Sequence, residues 1–141
     1  KPNGYFAKAY IYENSDRAAL AKTYYKKGLE TLKELQCFQP ELTNAIHFKA
    51  HNNSVHFLVA KACMLYDTQN FIGQNYIQFY IDAFSSKDRE PLEVAYVLQA
   101  QLFKLQNKTP EALASIEKAL SINSDFKPAL KEKQIILLLK P

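Results

Sequence analysis

The sequence predicts an all-α protein in which antiparallel helix pairs stack into an α-solenoid. The chain of 141 residues contains only three glycines, and most of its six prolines stand where a helix would begin. An all-β domain would need more glycines in its turns. In the last third of the chain, Ala100, Ala112 and Ala119 have the spacing of small residues at a close contact between two helices.

The clearest helix pair lies between residues 91 and 122. Pro91 suits the first turn of a helix, where the missing N–H costs nothing. Apolar residues then recur at helical spacing, namely Val94, Val97, Leu98, Leu102 and Leu105. Thr109 and Pro110 begin the returning helix with a capping hydroxyl and a proline at its first position. Pro128 opens a last helix, which we expect to cap the stack.

The rest of the chain has a similar outline, and we expect about seven helices in all. A short helix containing Tyr5, Ala9 and Tyr12 precedes a longer one over about 16–36. A middle pair is predicted from Ser54 to Tyr66 and from Phe71 to Phe84. Residues 39–53 are the hardest to place, and we predict a separate short helix there.

At these positions the chain resembles the tetratricopeptide repeat (TPR) family, whose unit is a helix–turn–helix of about 34 residues. The matching residues in the window 93–126 are Tyr96, Ala100, Phe103, Ala112, Ile116 and Ala119. Those in the window 2–35 are Tyr5, Ala9, Tyr12, Ala21, Tyr25 and Gly28. Three residues depart from the pattern: Gln99 replaces an aliphatic residue, Ser124 a proline, and Gln74 a small residue.

The resemblance implies one TPR-like domain over 1–141. Its repeat-like units would span about 2–35, 54–86 and 93–126, and its capping helix 127–140. Because the chain starts at Lys1 and ends in an apolar run, we expect it to be a piece of a longer protein. A helical bundle or another α-solenoid is the alternative architecture.

The resemblance also implies a protein–protein interaction module that binds a peptide or helix of a partner and scaffolds a complex. The partner would lie in the concave groove formed by the first helix of each repeat. The groove residues carried over from the family are Phe6, Tyr10, Val94, Val97, Leu98, Gln101, Lys104 and Leu105. Because Phe6 and Tyr10 stand where one subclass has lysine and asparagine to grip a terminal carboxylate, we expect no chaperone peptide of that kind.

One other binding surface and one other function remain open at this point. Aromatic residues are enriched at interface hot spots, and the middle pair contains Phe71, Tyr76, Phe79, Tyr80 and Phe84. An RNA-binding helical repeat is the alternative function. The net charge of +4 is modest and acids alternate with lysines, as in Lys131-Glu132-Lys133, so a nucleic-acid partner is disfavoured.

Composition and motifs disfavour a membrane protein or an enzyme. The longest apolar run, 135–139, is far shorter than a membrane span. Cys37 and Cys63 lack a pairing pattern, so we expect free thiols in a reducing compartment, with the cytoplasm favoured; a disulfide is the alternative. The sequence contains no glycine-rich phosphate loop and no recognisable nucleophile motif.

A metal site is the remaining chemical alternative. His47 and His51 would share one face of a helix, and His56 and Cys63 could add ligands. Phe48 stands where a metalloprotease has its glutamate. We therefore expect ordinary surface or packed histidines, with no metal and no cofactor.

Overall fold

The chain forms seven α-helices in the part that its structure, a computed structural model, describes: residues 2–38, 53–67 and 70–139. We number them α1 Pro2–Asn14, α2 Ala18–Phe38, α3 Ser54–Leu65, α4 Asn70–Asp82, α5 Leu92–Leu105, α6 Thr109–Ile122 and α7 Lys127–Leu138. These described residues include no β-strand. The predicted all-α class is confirmed, whereas the short helix predicted over 39–53 falls, apart from Asn53, outside the described residues.

The helices stack as consecutive hairpins. Helices α1 and α2, α3 and α4, and α5 and α6 form three closely packed pairs. The first helices contact one another in the order α1, α3, α5, α7, and each second helix also packs on the first helix that follows it. This nearest-neighbour arrangement is that of a helical-repeat solenoid, with α7 closing the third hairpin.

The turn inside each hairpin contains one residue with a left-handed backbone. These residues are Asp16, Asp67 and Asn107, whose φ angles are 58°, 44° and 61°. Asparagine and aspartate tolerate this region better than other non-glycine residues, because their short polar side chains hydrogen-bond locally. Asx residues thus make the hairpin turns without glycine, which accounts for the low glycine content of the chain.

Small residues let the paired helices approach closely. The side chains of Ala100, Ala112 and Ala119 are fully buried, as the spacing of these residues predicted. In the first hairpin, a Cβ atom placed on Gly28 would lie 2.8 Å from Cζ of Phe6. The contact therefore requires glycine at this position.

The middle hairpin has its small residue one position earlier than the sequence pattern indicated. Gln74 stands where the pattern places a small residue, but the structure puts Gly73 at the helix contact. A Cβ atom on Gly73 would lie 2.7 Å from Cβ of Cys63 and 3.0 Å from Cδ2 of Leu102. The middle unit therefore keeps the close contact of its neighbours in a shifted register.

Candidate partner-binding surfaces

The predicted groove residues of α5 divide between interior and surface. Val97 and Leu98 are buried in different parts of the core. Val97 packs with α6 and α7, whereas Leu98 packs with the two preceding hairpins. Val94, Gln101 and Leu105 recur at helical spacing and are only half-buried. These three side chains form the accessible stripe of α5 on the side of the first helices.

The two predicted groove residues of α1 both make contacts inside the chain. Phe6 is fully buried, and its ring lies against Gly28 and 6.4 Å from the ring of Tyr25. Tyr10 is half-buried, and the guanidinium of Arg89 lies 4.6 Å from the centre of its ring. Phe6 is therefore an interior residue, and Tyr10 already has a cation–π partner.

Helix α3 leaves little open surface between α1 and α5. Every residue from 56 to 60 is buried, as are Ala62 and Cys63. A partner could not run along an open channel across this part of α3. Along the line of first helices, α5 and α7 are therefore more accessible than residues 56–60 of α3.

Helix α7 is held against α5 by a partly buried ion pair. Nζ of Lys104 donates to Oε2 of Glu132 at 2.8 Å, and Nε2 of Gln101 donates to Oε1 at 3.2 Å. The side chain of Glu132 is 8% exposed and that of Lys104 is 24% exposed. The predicted groove residues Gln101 and Lys104 therefore position the last helix.

Helix α7, which packs on α5, also carries exposed apolar side chains. Ile135 lies three residues after Glu132, and Leu138 lies one further turn along the same helix. Both are exposed, Leu138 to 85%. We call Val94, Gln101, Leu105, Ile135 and Leu138 the α5–α7 surface. A set of exposed apolar side chains next to polar anchors is typical of a protein-binding surface.

An ion pair also joins the first two hairpins, but here the earlier helix carries the acid and the later helix carries the lysine. Nζ of Lys61 in α3 donates to Oε1 of Glu13 in α1. The hydroxyl of Tyr25 donates to Oε2 of Glu13 at 3.0 Å. Burial, and then the nearby Glu13 carboxylate, raise the pKa of Tyr25 above its ordinary value, so the hydroxyl keeps its proton. Glu13 in the first repeat occupies the repeat position that corresponds to Lys104 in the third.

A polar path crosses the junction between the second and third hairpins. Nε2 of Gln99 donates to Oε1 of Gln78 at 2.9 Å, and the hydroxyl of Ser115 donates to Oε1 of Gln99 at 3.0 Å. Gln99 is buried, so its amide is satisfied by neighbours on both sides. The departure of Gln99 from the aliphatic pattern is thereby explained, because α4 presents glutamine here.

The aromatic residues of the middle hairpin do not form one surface. Tyr76 and Tyr80 are core residues, Phe84 is half-buried, and Phe71 and Phe79 are exposed. The hydroxyl of Tyr80 donates to the carbonyl of Glu90 and accepts from its N–H, which fixes the loop before α5. The sequence alone could not separate the core members of this cluster from the exposed ones.

The predicted metal alternative lies mainly outside the described chain. His47 and His51 belong to the segment that the structure does not describe. Nδ1 of His56 lies 2.9 Å from Oδ1 of Asn53, and burial lowers the pKa of His56. Within the described ranges, no three His, Cys, Asp or Glu side chains are grouped so that they could hold a metal ion.

The buried cysteine has no sign of reactivity. Cys63 is a free thiol in the core, and burial raises its pKa to about 12. A protonated, inaccessible thiol is a poor nucleophile. Cys37 lies in α2, and its side chain is outside the description.

None of the helices in residues 2–38, 53–67 and 70–139 combines the length and the apolar character needed to cross a bilayer.

Stacked hairpins closed by a single helix define the class of helical-repeat proteins, which present surfaces for binding. The family model of the tetratricopeptide repeat matches residues 2–31 and 94–126, which lie in the first and third hairpins. These two matches support a repeat protein of the TPR family. Comparison with curated proteins and with solved structures gave no match. TPR repeats generally mediate protein–protein interaction and scaffolding, and the family is a non-enzymatic interaction module.

Proposed function

We propose that this protein binds a peptide or helix of a partner protein on the α5–α7 surface and so scaffolds a multiprotein complex. The family supports a protein partner. The accessible side chains of α5 and α7 support the choice of this surface. The observation that carries the proposal is the exposure of the apolar Ile135 and Leu138 on α7, the helix that packs on α5, where Val94 and Leu105 are half-buried.

The chemistry of this surface favours apolar anchors on the partner. Val94, Leu105, Ile135 and Leu138 offer aliphatic contacts, and burying such area contributes about 25 cal/mol per Å². Gln101 and Lys104 already bond to Glu132, so they line the surface without offering a free charge. A partner segment with aliphatic side chains at helical or extended spacing fits this arrangement.

The first repeat argues against a chaperone peptide that ends in a gripped carboxylate. Such a grip needs polar donors on the inner face of α1. Phe6 is interior, and the phenol ring of Tyr10 is covered by Arg89. We therefore expect no selective binding of a C-terminal acidic peptide at α1.

The pairing of lysines supports a protein partner over RNA. Lys61, Lys104 and Lys133 each form an ion pair with a glutamate. Pairing reduces the positive field that would attract a phosphate backbone.

Affinity capture with the 141-residue chain, read by mass spectrometry, tests the proposed surface. The proteins captured by the wild type should be lost with both Leu105→Asp and Leu138→Asp, because a carboxylate there would be desolvated by the partner. Ile122→Asp is the matched control, since Ile122 is an exposed aliphatic residue at the end of α6. Circular dichroism checks that each variant keeps its helices.

If the same proteins are captured by both aspartate variants and by the control, the partner does not use the α5–α7 surface.

A further inference from the structure

The first and third repeats can be compared residue by residue. Tyr5 and Ala9 of α1 correspond to Tyr96 and Ala100 of α5, so residue n in the first repeat corresponds to residue n + 91 in the third. The core agrees with this correspondence, because Ala9 and Ala100 are both fully buried. Ala21 and Ala112 are likewise both buried, and so are Tyr25 and Ile116.

In the third repeat, one face of α5 is covered by helix α4 of the preceding repeat. Leu102 is fully buried and lies against Gly73. Gln99 bonds to Gln78 of α4 and to Ser115 of α6, and Nε2 of Gln106 donates to Gln74 at 3.4 Å. The residues of this contact are Gln99, Leu102 and Gln106 of α5 and Ser115 of α6.

The corresponding face of the first repeat is open. Its residues are Lys8, Ile11, Ser15 and Tyr24, which we call the α1 stacking face. Ile11 is 61% exposed although its counterpart Leu102 is fully buried, and Lys8 and Ser15 are exposed as well. Over residues 2–38, 53–67 and 70–139, no helix packs on this face in the way that α4 packs on α5.

This face is preorganised and positively charged. Tyr24 is half-buried between the rings of Tyr5 and Tyr12, with centroid distances of 6.3 and 5.4 Å. Nζ of Lys8 and Nζ of Lys27 each lie 5.2 Å from the centre of the Tyr24 ring. The rings hold two ammonium groups beside an exposed aliphatic side chain.

We propose that the α1 stacking face docks an acidic amphipathic helix of a partner protein, in the place on α1 that α4 takes on α5. The internal α4–α5 contact indicates the chemistry of that helix. A small residue would face Ile11, because Leu102 faces Gly73. In the third repeat, Gln99 bonds to Gln78, which lies five residues after Gly73. Because Lys8 corresponds to Gln99, a carboxylate five residues after the small residue of the partner helix would face Lys8.

The charges on this chain disfavour a second copy as the occupant. Head-to-tail stacking would bring α7 against α1, and α7 carries the exposed Lys127 and Lys131. These ammonium groups would approach Lys8 and Lys27, which have the same charge. An acidic helix from another protein has the complementary charge.

A peptide based on α4 provides a defined probe. It has the sequence from Asn70 to Asp82 with Gln78→Glu, and a hydrocarbon staple between positions 71 and 75, which are exposed in the fold. A second peptide with Gln78→Lys is identical except for its charge. Circular dichroism first shows that both peptides are helical, and fluorescence anisotropy then measures their binding to the 141-residue chain.

The glutamate peptide should bind the wild-type chain at least about tenfold more tightly than the lysine peptide. Ile11→Asp should weaken its binding by about tenfold or more, because an apolar anchor is lost. Lys8→Glu should reverse the preference in favour of the lysine peptide. Leu130→Asp is the control, because Leu130 is an exposed leucine on α7, at the opposite end of the stack.

Three results would overturn the inference. The first is failure of the helical glutamate peptide to bind the wild type. The second is binding that is insensitive to Ile11→Asp and Lys8→Glu. The third is a dimer in analytical ultracentrifugation that Ile11→Asp dissociates, which would make a second copy the occupant. Because Leu105→Asp should leave peptide binding unchanged, this test is separate from that of the α5–α7 surface.

Discussion

At the scale of single residues, the environment of an ion pair decides what it contributes. Lys104 and Glu132 are mostly buried, whereas the side chains of Lys133 and Glu117 are 38% and 57% exposed. An exposed pair gains little because water screens it and ordering two long side chains costs entropy. Removing one partner of a buried pair leaves a desolvated charge without compensation.

Lys104→Met should therefore lower the free energy of unfolding by about 1–3 kcal/mol, because the Glu132 carboxylate loses its cation. Lys133→Met is the matched control, because Lys133 of α7 forms an exposed ion pair with Glu117 of α6. Its effect should stay within about 0.5 kcal/mol. Urea denaturation followed by circular dichroism measures both. Equal losses in the two variants would contradict the role assigned to the buried pair.

His56 should make the stability depend on pH. Burial lowers its pKa below the ordinary value of 6.5, although the nearby Asp88 opposes this effect. As the pH falls through 6.5, the unfolded chain takes up the proton before the folded chain does, so stability decreases. The loss should continue until the lower pKa of the folded state is reached.

Urea midpoints at about pH 7.5 and about pH 5.5 test this expectation. The wild type should be less stable at the lower pH. His56→Gln, which keeps a polar side chain beside Asn53 but cannot titrate, should show a smaller difference between the two values. An unchanged difference in this variant would assign the pH dependence to other groups.

At the scale of helices, Gly73 determines how closely α3 and α4 pack. Gly73→Ala should destabilise the fold by about 1–3 kcal/mol through overpacking, because the new Cβ would meet backbone-proximal atoms of Cys63. This cost opposes the gain in helix propensity of about 1 kcal/mol. Gln74→Ala, one residue along, lies off the close contact and serves as the control.

Urea denaturation of the two variants distinguishes the registers. If Gly73→Ala is as stable as the wild type, the close contact of the middle hairpin does not lie at Gly73.

The sequence predicted the helices well because periodicity and proline placement are local signals. It located the close contacts at Ala100, Ala112 and Ala119 because these follow a regular repeat. It misplaced the contact of the middle hairpin because a shift of one residue is decided by tertiary packing around Cys63. It also could not show that Phe6 is interior, since the space above Gly28 exists only once α1 and α2 are paired.

At the scale of the whole molecule, two ion pairs join neighbouring first helices, and the acid and the lysine exchange places between them. Glu13 of α1 pairs with Lys61 of α3, and Lys104 of α5 pairs with Glu132 of α7. If α1 took the place of α5, Glu13 would face Glu132, and if α5 took the place of α1, Lys104 would face Lys61. Charge polarity thus favours one order of the hairpins over the alternatives.

Reversing one pair tests whether polarity, and not the identity of each residue, joins the first two hairpins. Glu13→Lys alone should lower the free energy of unfolding by about 1 kcal/mol or more, because it opposes Lys61 with a like charge. Adding Lys61→Glu should recover most of that loss, and the hydroxyl of Tyr25 can then accept a bond from the new ammonium group. A double-mutant cycle by urea denaturation measures the coupling. If the two changes simply add, the pair has no part in the order of stacking, and close packing of the small residues alone determines it.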